Sequence, residues 1–289
     1  YMTDEIQYRI IGNLGHITLN RPKALNALTY AMCEKITELL LEWQDNSEIG
    51  AVLIDGAGDR AFCAGGDVIL LHDSGKAGDS RAEEFWRIEY ALNELIHCYP
   101  KPYISLIDGF VMGGGVGLSV HGKYRIAGDA TVFAMPETGI GYFPDVGGTF
   151  FLPRLGMSIG QWLGLTGARL NVGQTCDIGI ANIYVPTNKH SDLIEALGTA
   201  DLDGTDNRVN KVLEVFAQVP PAHDAIPEAI KAFNCSSVPE ILLSLDNDNS
   251  EWAAKQAKNI RRKSPIAMCV TFEASKRGIN MTFRQVMTQ

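Results

Sequence analysis

The segment from residue 110 to 148 constrains this chain most, because it places a run of glycines directly before a helix-forming stretch. Gly113, Gly114 and Gly115 precede Val-Gly-Leu-Ser-Val. Glycine lets the backbone approach a ligand without a side chain in the way, and a helix start leaves N–H groups without partners. The pattern favours backbone donors for an oxyanion, but a glycine run alone is about twice as often a site of close packing.

Two carboxylates, Glu137 and Asp145, follow in the same segment. Glycines and prolines surround them, and these residues favour tight turns over a solvated helix face. Acidic side chains in loops are mostly solvated or cap helices, so each carboxylate alone says little about function. The combination of a glycine run with two acids on specified turns favours a catalytic site.

Composition limits the classes of protein to which the chain can belong. A formal net charge of -9 and a pI of about 5.2 argue against a nucleic-acid backbone as the main partner. The six cysteines show neither a CxxC pair nor zinc spacing, so we expect reduced thiols and no structural metal. The chain lacks a long apolar run and a signal-peptide pattern. We therefore expect no membrane partner, and a location in the cytoplasm of a bacterium or the mitochondrial matrix of a eukaryote.

Hydrophobic periodicity predicts strands and helices in alternation. Residues 6–11 and 16–19 predict a hairpin, and Thr29 can cap a helix whose apolar residues recur at helical spacing. Helices are further predicted over 81–99, 150–155, 159–165, 208–217, 227–233, 239–245, 251–263 and 265–276, and a last short strand over 183–185.

A buried strand leads into a glycine loop and then a helix twice in succession. The first unit joins strand 51–54 to the loop 56–67, in which Asp67 can cap the following helix. The second joins strand 103–107 to the glycine run. The loop 56–67 matches no nucleotide-phosphate motif, and it can supply a second backbone N–H. A plain tight turn before a helix is an equally good interpretation of this loop alone.

Several single residues carry weaker signals. Glu89 lies near the apolar stripe of its helix, and an isolated glutamate there has about one chance in five of belonging to a site. Cys63 is expected to pack rather than react. The basic cluster Arg261, Arg262 and Lys263 is interpreted as a solvated helix end rather than a phosphate site.

Together these residues resemble the enoyl-CoA hydratase/isomerase (crotonase) superfamily. The motifs NRPKALNAL, AFCAGGD, MGGGVGL, MPETGIG and FPDVGG occur in the right order across most of residues 6–165. The resemblance implies an α/β spiral of ββα units over residues 1–200, which carries the active site, and C-terminal helices over 201–289 that cover this core. Family members usually continue beyond the segment that ends here at Gln289, so an incomplete helical region is expected.

Within the superfamily, the chain is most similar to the branch that hydrolyses 3-hydroxyisobutyryl-CoA in valine breakdown. Hydratases carry a catalytic glutamate where this chain has Gly117, so hydration would lack half of its acid–base pair. The hydrolase branch has an acid at the position of Asp145 and a substrate-contacting glutamate at that of Glu89. Hydration or isomerisation of another acyl-CoA, and a non-catalytic RNA-binding role, stay open as alternatives.

The resemblance also implies the roles of the site residues. Glu137 would activate water or attack the thioester directly, and Asp145 would position Glu137, the water or the substrate hydroxyl. The N–H groups of Ala64 and Gly114 would form the oxyanion hole. An acyl-CoA is the expected partner and no cofactor is needed, since coenzyme A is part of the substrate; a homo-oligomer stays open. The substrate would contact Glu89, Gly114, Glu137 and Asp145, and the CoA chain would lie along Lys23, Ala24 and Leu25.

Overall fold

The structure is a computed structural model that describes residues 5–289. The strands are β1 (Ile6–Ile11), β2 (Leu14–Leu19), β3 (Ala51–Gly56), β4 (Ala61–Cys63), β5 (Tyr103–Ile107), β6 (Phe110–Met112), β7 (Tyr124–Ala127), β8 (Val132–Ala134) and β9 (Ile183–Tyr184). Six of them form a sheet in the order β1-β2-β3-β5-β7-β9, in which β1 is antiparallel to β2 and the later pairs are parallel. The other three form a second sheet in the order β4-β6-β8.

Helices account for most of the remaining chain. The α-helices are α1 (Tyr30–Asp45), α2 (Val68–Ala77), α3 (Arg81–His97), α4 (Gly114–Ser119), α5 (Gly148–Phe151), α6 (Met157–Thr166), α7 (Val172–Asp177), α8 (His190–Thr199), α9 (Asp206–Phe216), α10 (Val238–Asn247), α11 (Glu251–Ile260), α12 (Pro265–Gly278) and α13 (Phe283–Met287). Short 3-10 helices occupy Pro22–Ala24, Glu137–Ile140, Leu152–Leu155, Thr187–Lys189 and Glu228–Phe233. No helix among residues 5–289 is long and apolar enough to cross a bilayer.

The chain forms two compact units, each assembled from two stretches of sequence. The first contains the described residues through Phe133 together with Asn171–Ala222, and the second contains Ala134–Leu170 and His223–Gln289. These units alternate along the chain. The division into residues 1–200 and 201–289 separates a core from a helical region by sequence, and it stays a prediction.

The core of the first unit lies on the parallel strands of the larger sheet. Leu53 and Ile104 on neighbouring strands are fully buried, and so are Leu193 and Leu197 of α8, which belong to the same hydrophobic cluster. Strands buried in this way read as continuous apolar runs rather than as alternating ones. This explains why 51–54 and 103–107 were recognisable from the sequence.

Local signals in the first unit predicted the structure well. The hairpin is confirmed, since β1 pairs with β2 from Ile6 opposite Leu19 to Ile11 opposite Leu14. The Thr29 hydroxyl accepts a hydrogen bond from the N–H of Met32 at 3.2 Å, which confirms the predicted helix cap. The Asp67 carboxylate caps α2 in the same manner.

Other elements differ from the sequence prediction. Strands β4, β6, β7 and β8 have only three or four residues each, too few for periodicity to reveal them. Helices α7, α8 and α13 were not predicted. The helix predicted over 150–155 is α5 followed by a 3-10 turn containing Pro153, which lacks the N–H that an α-helix interior needs. The segment 227–233 is also a 3-10 helix.

The second unit is a group of helices packed around α6. Its residue Trp162 is buried, and the indole N–H donates to the Gln256 side chain on α11 at 3.1 Å. Gln161 donates to the carbonyl of Phe272 on α12 at 3.2 Å. The Arg154 guanidinium donates to the carbonyl of Gly278, the last residue of α12, where a positive charge is favourable. These bonds fix α11 and α12 relative to α6.

Candidate active site

Backbone hydrogen bonds hold the NRPKALNAL loop against the AFCAGGD loop in the first unit. The N–H of Leu28 donates to the carbonyl of Gly65 at 2.8 Å, and the N–H of Asp67 donates to the carbonyl of Leu28 at 2.9 Å. The Arg21 guanidinium adds an ion pair with Asp67 at 3.3 Å. The two loops therefore form one rigid assembly.

Asn26 organises the first of these loops from inside. Its buried side chain accepts from the N–H of Arg21 at 2.9 Å and donates to the carbonyls of Ala57 and Ala61 at 3.0 and 2.8 Å. Leu25 and Asn26 both have left-handed backbone conformations, with φ of 52° and 55°. Asparagine tolerates that region, but leucine is strained there. Such strain persists only where the surrounding structure fixes the backbone.

Gly114 lies where two loops and α3 meet. It is the first residue of α4, so its N–H has no acceptor inside the helix. A Cβ at this position would lie 2.4 Å from Oε1 of Glu89 and 3.3 Å from the nitrogen of Gly66. A Cβ on Gly115 would instead lie 2.2 Å from the carbonyl oxygen of Cys63. The glycine run therefore serves close packing at Gly115 and leaves an open donor at Gly114.

The predicted donor at Ala64 has a different partner. Its N–H donates to the carbonyl of Leu25 at 3.0 Å, so it is already committed within the loop assembly. The N–H of Gly66, two residues later, donates to no group among residues 5–289 and lies next to Gly114. The geometry therefore favours Gly66 over Ala64 as the second backbone donor.

Glu89 is a buried residue beside the glycines. It lies on α3 with 2% of its surface exposed. Burial, together with the charge of Glu89, raises the pKa of the Cys33 thiol well above its ordinary value and that of Cys63 to about 12. Cys63 is fully buried and stays protonated at neutral pH, which confirms that it packs rather than reacts.

Glu137 begins the 3-10 helix Glu137–Ile140 in the second unit. Only 7% of its surface is exposed, and neither carboxylate oxygen has a hydrogen-bond partner among residues 5–289. Burial, and then the negative charge of Asp145, raise the pKa of Glu137 well above its ordinary value, while Lys263 opposes this shift. A carboxylate in such surroundings is a stronger base than one in water.

Asp145 is half-buried in the turn that precedes α5. Its carbonyl accepts from the N–H of Gly148 at 2.6 Å. The next residue, Val146, has a φ of 45°, which is rare for a β-branched side chain. Strained backbone of this kind occurs often at functional sites. The turn confirms that this acid is not on a solvated helix face.

The basic cluster after α11 divides into two environments. Arg261 and Arg262 are exposed, and Arg261 pairs with Asp246. Lys263 is half-buried, and its ammonium donates to the hydroxyl of Thr138 at 2.8 Å. The interpretation as a solvated helix end is therefore wrong for Lys263.

The remaining predicted residues are the three assigned to the coenzyme A chain, and Gly117. Lys23 and Ala24 are exposed in the 3-10 helix Pro22–Ala24, and Leu25 is half-buried. Gly117 is buried inside α4, where its N–H donates to the carbonyl of Gly113 at 3.2 Å. Position 117 therefore contributes no acid or base.

Comparison with known proteins identifies a family and several proteins to which this chain is similar. The model of the enoyl-CoA hydratase/isomerase family matches residues 14–289. The 3-hydroxyisobutyryl-CoA hydrolase of Danio rerio mitochondria is 43% identical over 98% of this chain and 76% of its own length. The corresponding mitochondrial protein of Homo sapiens is 39% identical over 99% of this chain and 76% of its own.

Two solved structures are also similar along almost the whole chain. A carnitinyl-CoA dehydratase from Mycobacterium thermoresistibile matches with a TM-score of 0.92 and 38% identity, over 99% of this chain and 84% of its own. An enoyl-CoA hydratase from Rhodobacter sphaeroides 2.4.1 matches with a TM-score of 0.85 and 40% identity, over 98% and 82%. These matches confirm the fold predicted from the sequence.

Proposed function

Because the chain belongs to the enoyl-CoA hydratase/isomerase family, we propose that it hydrolyses 3-hydroxyisobutyryl-CoA to 3-hydroxyisobutyrate and coenzyme A. Relatives named for this reaction match nearly all of this chain. The reaction consumes water and a thioester and needs no cofactor. Family and names together support an acyl-CoA as the substrate, and the acyl group is the part that the experiment below tests.

One observation carries the choice of hydrolysis over hydration. Adding water across a double bond requires one group to activate the water and another to protonate the carbon. Position 117, which the resemblance assigns to a second catalytic glutamate, is a buried glycine. A single base, by contrast, is sufficient for hydrolysis, and Glu137 has the properties of one.

The first chemical step is the attack of water on the thioester carbonyl. Glu137 takes the proton as the new C–O bond forms, and the carbonyl oxygen becomes an oxyanion. Backbone N–H groups are the donors suited to this oxygen, and each contributes about 3 kcal/mol of transition-state stabilisation in oxyanion holes of this kind. We assign this role to Gly114, with Gly66 as the second donor in place of Ala64.

The second step is collapse of the tetrahedral intermediate. The C–S bond breaks, the carbonyl re-forms, and the coenzyme A thiolate receives the proton that Glu137 holds. Direct attack by Glu137 would give an acyl-enzyme anhydride that water then cleaves. In both routes Glu137 must start ionised, so the rate falls as the pH drops below its raised pKa.

Other residues have supporting roles in this proposal. Asp145 orients Glu137, the water or the 3-hydroxyl of the substrate, and Glu89 contacts the acyl group beside Gly114. Lys23, Ala24 and Leu25 lie along the coenzyme A chain. Assembly into a homo-oligomer, and a location in the mitochondrial matrix or bacterial cytoplasm according to the source, stay predictions.

Hydration is the second candidate, because the two similar solved structures carry the names of a dehydratase and a hydratase. The test uses purified protein with 3-hydroxyisobutyryl-CoA and a colorimetric thiol reagent, and crotonyl-CoA in parallel for loss of enone absorbance. Thiol release without enone loss supports hydrolysis. Enone loss alone overturns the argument from Gly117 and identifies a hydratase. A panel of other 3-hydroxyacyl-CoA thioesters then defines the acyl preference.

A further inference from the structure

Lys263 occupies an unusual position for a lysine in the second unit. It comes after α11 and the two exposed arginines Arg261 and Arg262, but its own side chain is half-buried. Its ammonium donates to the Thr138 hydroxyl at 2.8 Å and makes no ion pair among residues 5–289. A Cβ on Gly167 would lie 3.6 Å from this nitrogen, so the ammonium is enclosed by backbone on that side. Burying a charged group without an ion pair is unfavourable, which calls for an explanation.

Thr138 connects Lys263 to the catalytic turn. It is 1% exposed and is the second residue of the 3-10 helix that begins with Glu137. Its hydroxyl donates to the carbonyl of Leu165 on α6 at 3.2 Å while accepting from Lys263. Both hydrogen-bonding roles of the hydroxyl are therefore used. The bond fixes the backbone from which the Glu137 side chain extends.

Lys263 also affects the charge at Glu137. Among residues 5–289, the charges of Asp145 and Lys263 act on the Glu137 carboxyl. Burial and then the charge of Asp145 raise the pKa of Glu137, and Lys263 lowers it. Conversely, burial lowers the pKa of Lys263, and Glu137 raises it. The lysine is thus the positive charge that favours ionised Glu137.

We propose that Lys263 is a positioning residue for Glu137, which it holds in place through its hydrogen bond to Thr138. Its positive charge also favours the ionised form of Glu137. This inference rests on the proposed function in its assignment of Glu137 as the base. Lys263 itself touches no reacting atom. This positioning role explains why a lysine, rather than an apolar residue, is half-buried at position 263.

The test compares Lys263→Met with Lys263→Arg, and uses Arg262→Met as the matched control because Arg262 is the exposed neighbour in the same turn. We expect kcat for thiol release by Lys263→Met to fall about tenfold at neutral pH, with the acidic limb of its pH profile displaced upward by about one pH unit. The arginine variant should restore part of the rate, and Arg262→Met should match the parent. Thr138→Val should lower kcat without the same displacement of the profile.

A second measurement separates this inference from the proposed function. The side-chain carboxyl of Glu137 is titrated by NMR with carbon-13-labelled glutamate and assigned with Glu137→Gln, without any substrate. A higher pKa of Glu137 in Lys263→Met supports the inference even if the protein hydrolyses no thioester. An unchanged titration of Glu137 in a folded Lys263→Met protein overturns it, whether or not the protein releases thiol.

Discussion

The glycine loops of the first unit and the carboxylate turn of the second show two opposite ways to build a reactive group. Around Gly114 and Gly66, neighbouring backbone groups and the Asn26 amide are hydrogen-bonded, and the N–H groups of these two glycines have no acceptor among residues 5–289. Around Glu137, two acceptor oxygens are buried and receive no hydrogen bond from the part of the chain that the structure describes. Gly66 is half-buried and Gly114 is the buried first residue of α4, where an N–H without a helical acceptor is normal, whereas the buried carboxylate is costly and strongly basic. We expect substitutions in the two regions to have different effects on stability.

The largest effect should come from the carboxylate turn. Glu137→Gln keeps the size of the side chain but removes the base, so we expect kcat to fall by about 10²–10⁴-fold. Thiol release from the substrate at saturating concentration measures this loss. Glu42→Gln, an exposed glutamate on α1, is the matched control and should retain full activity. Near-normal turnover in Glu137→Gln would remove this residue from the mechanism.

The next largest effect is expected from a substitution in the glycine loops of the first unit. In Gly114→Ala the new Cβ would lie 2.4 Å from Oε1 of Glu89 and would crowd the Gly66 nitrogen, so the oxyanion donors should lose their geometry. We expect kcat to fall about 10²–10³-fold, the usual loss for one oxyanion donor. In Gly75→Ala, the control, a Cβ on α2 meets nothing within 4 Å and activity should be unchanged. Equal activity of both variants would contradict the assignment.

Asp145→Asn tests how the charge of Asp145 affects the pKa of Glu137. Removing this negative charge should lower the pKa of Glu137, since Asp145 is one of the groups that raise it. We therefore expect the acidic limb of the rate profile to move to lower pH, opposite in sign to the displacement predicted for Lys263→Met. The plateau rate should fall about 10–100-fold if Asp145 orients the base or the water. A profile that keeps its position would show that the two acids do not interact.

The smallest effect concerns stability and follows from the same raised pKa. The folded state holds a proton on Glu137 more tightly than the unfolded state, so this stabilising effect is complete below the unfolded pKa. It is lost as the pH rises through the folded pKa. Glu137→Gln should therefore be more stable than the parent at neutral pH. Its Tm should be higher by roughly 2–4 °C for each kcal/mol gained in the free energy of unfolding. Thermal unfolding at pH 5 and pH 8 measures this, and the gap between the two proteins should widen at the higher pH.

Local interactions made much of the fold predictable. The caps at Thr29 and Asp67 join residues two or three positions apart, so sequence spacing alone reveals them. Buried parallel strands such as β3 read as apolar runs. The family motifs likewise pointed to Gly114, Glu137 and Asp145, because turns rich in glycine and proline leave the chain few conformations.

Short strands and the choice between neighbouring donors were not predictable in this way. Strand β4 has three residues, and it is defined by pairing with β6 far along the chain. The resemblance named Ala64 as the second donor, whereas the structure favours Gly66. Only the hydrogen bond from Ala64 to Leu25 distinguishes them, and it joins residues 39 positions apart in sequence.

The amino-acid sequence was sufficient to predict the family and the order of the main elements, and to propose Glu137 and Asp145 as the acids of the site, since these depend on local spacing and on motifs. The tertiary structure was needed to distinguish the N–H of Gly66 from that of Ala64 as the open donor. It was also needed to show that the Lys263 side chain contacts Thr138, 125 positions away in sequence. Whether a lysine is solvated or half-buried depends on which helices pack around it. That packing is a property of the folded chain, because burial and charge act through space rather than along the sequence.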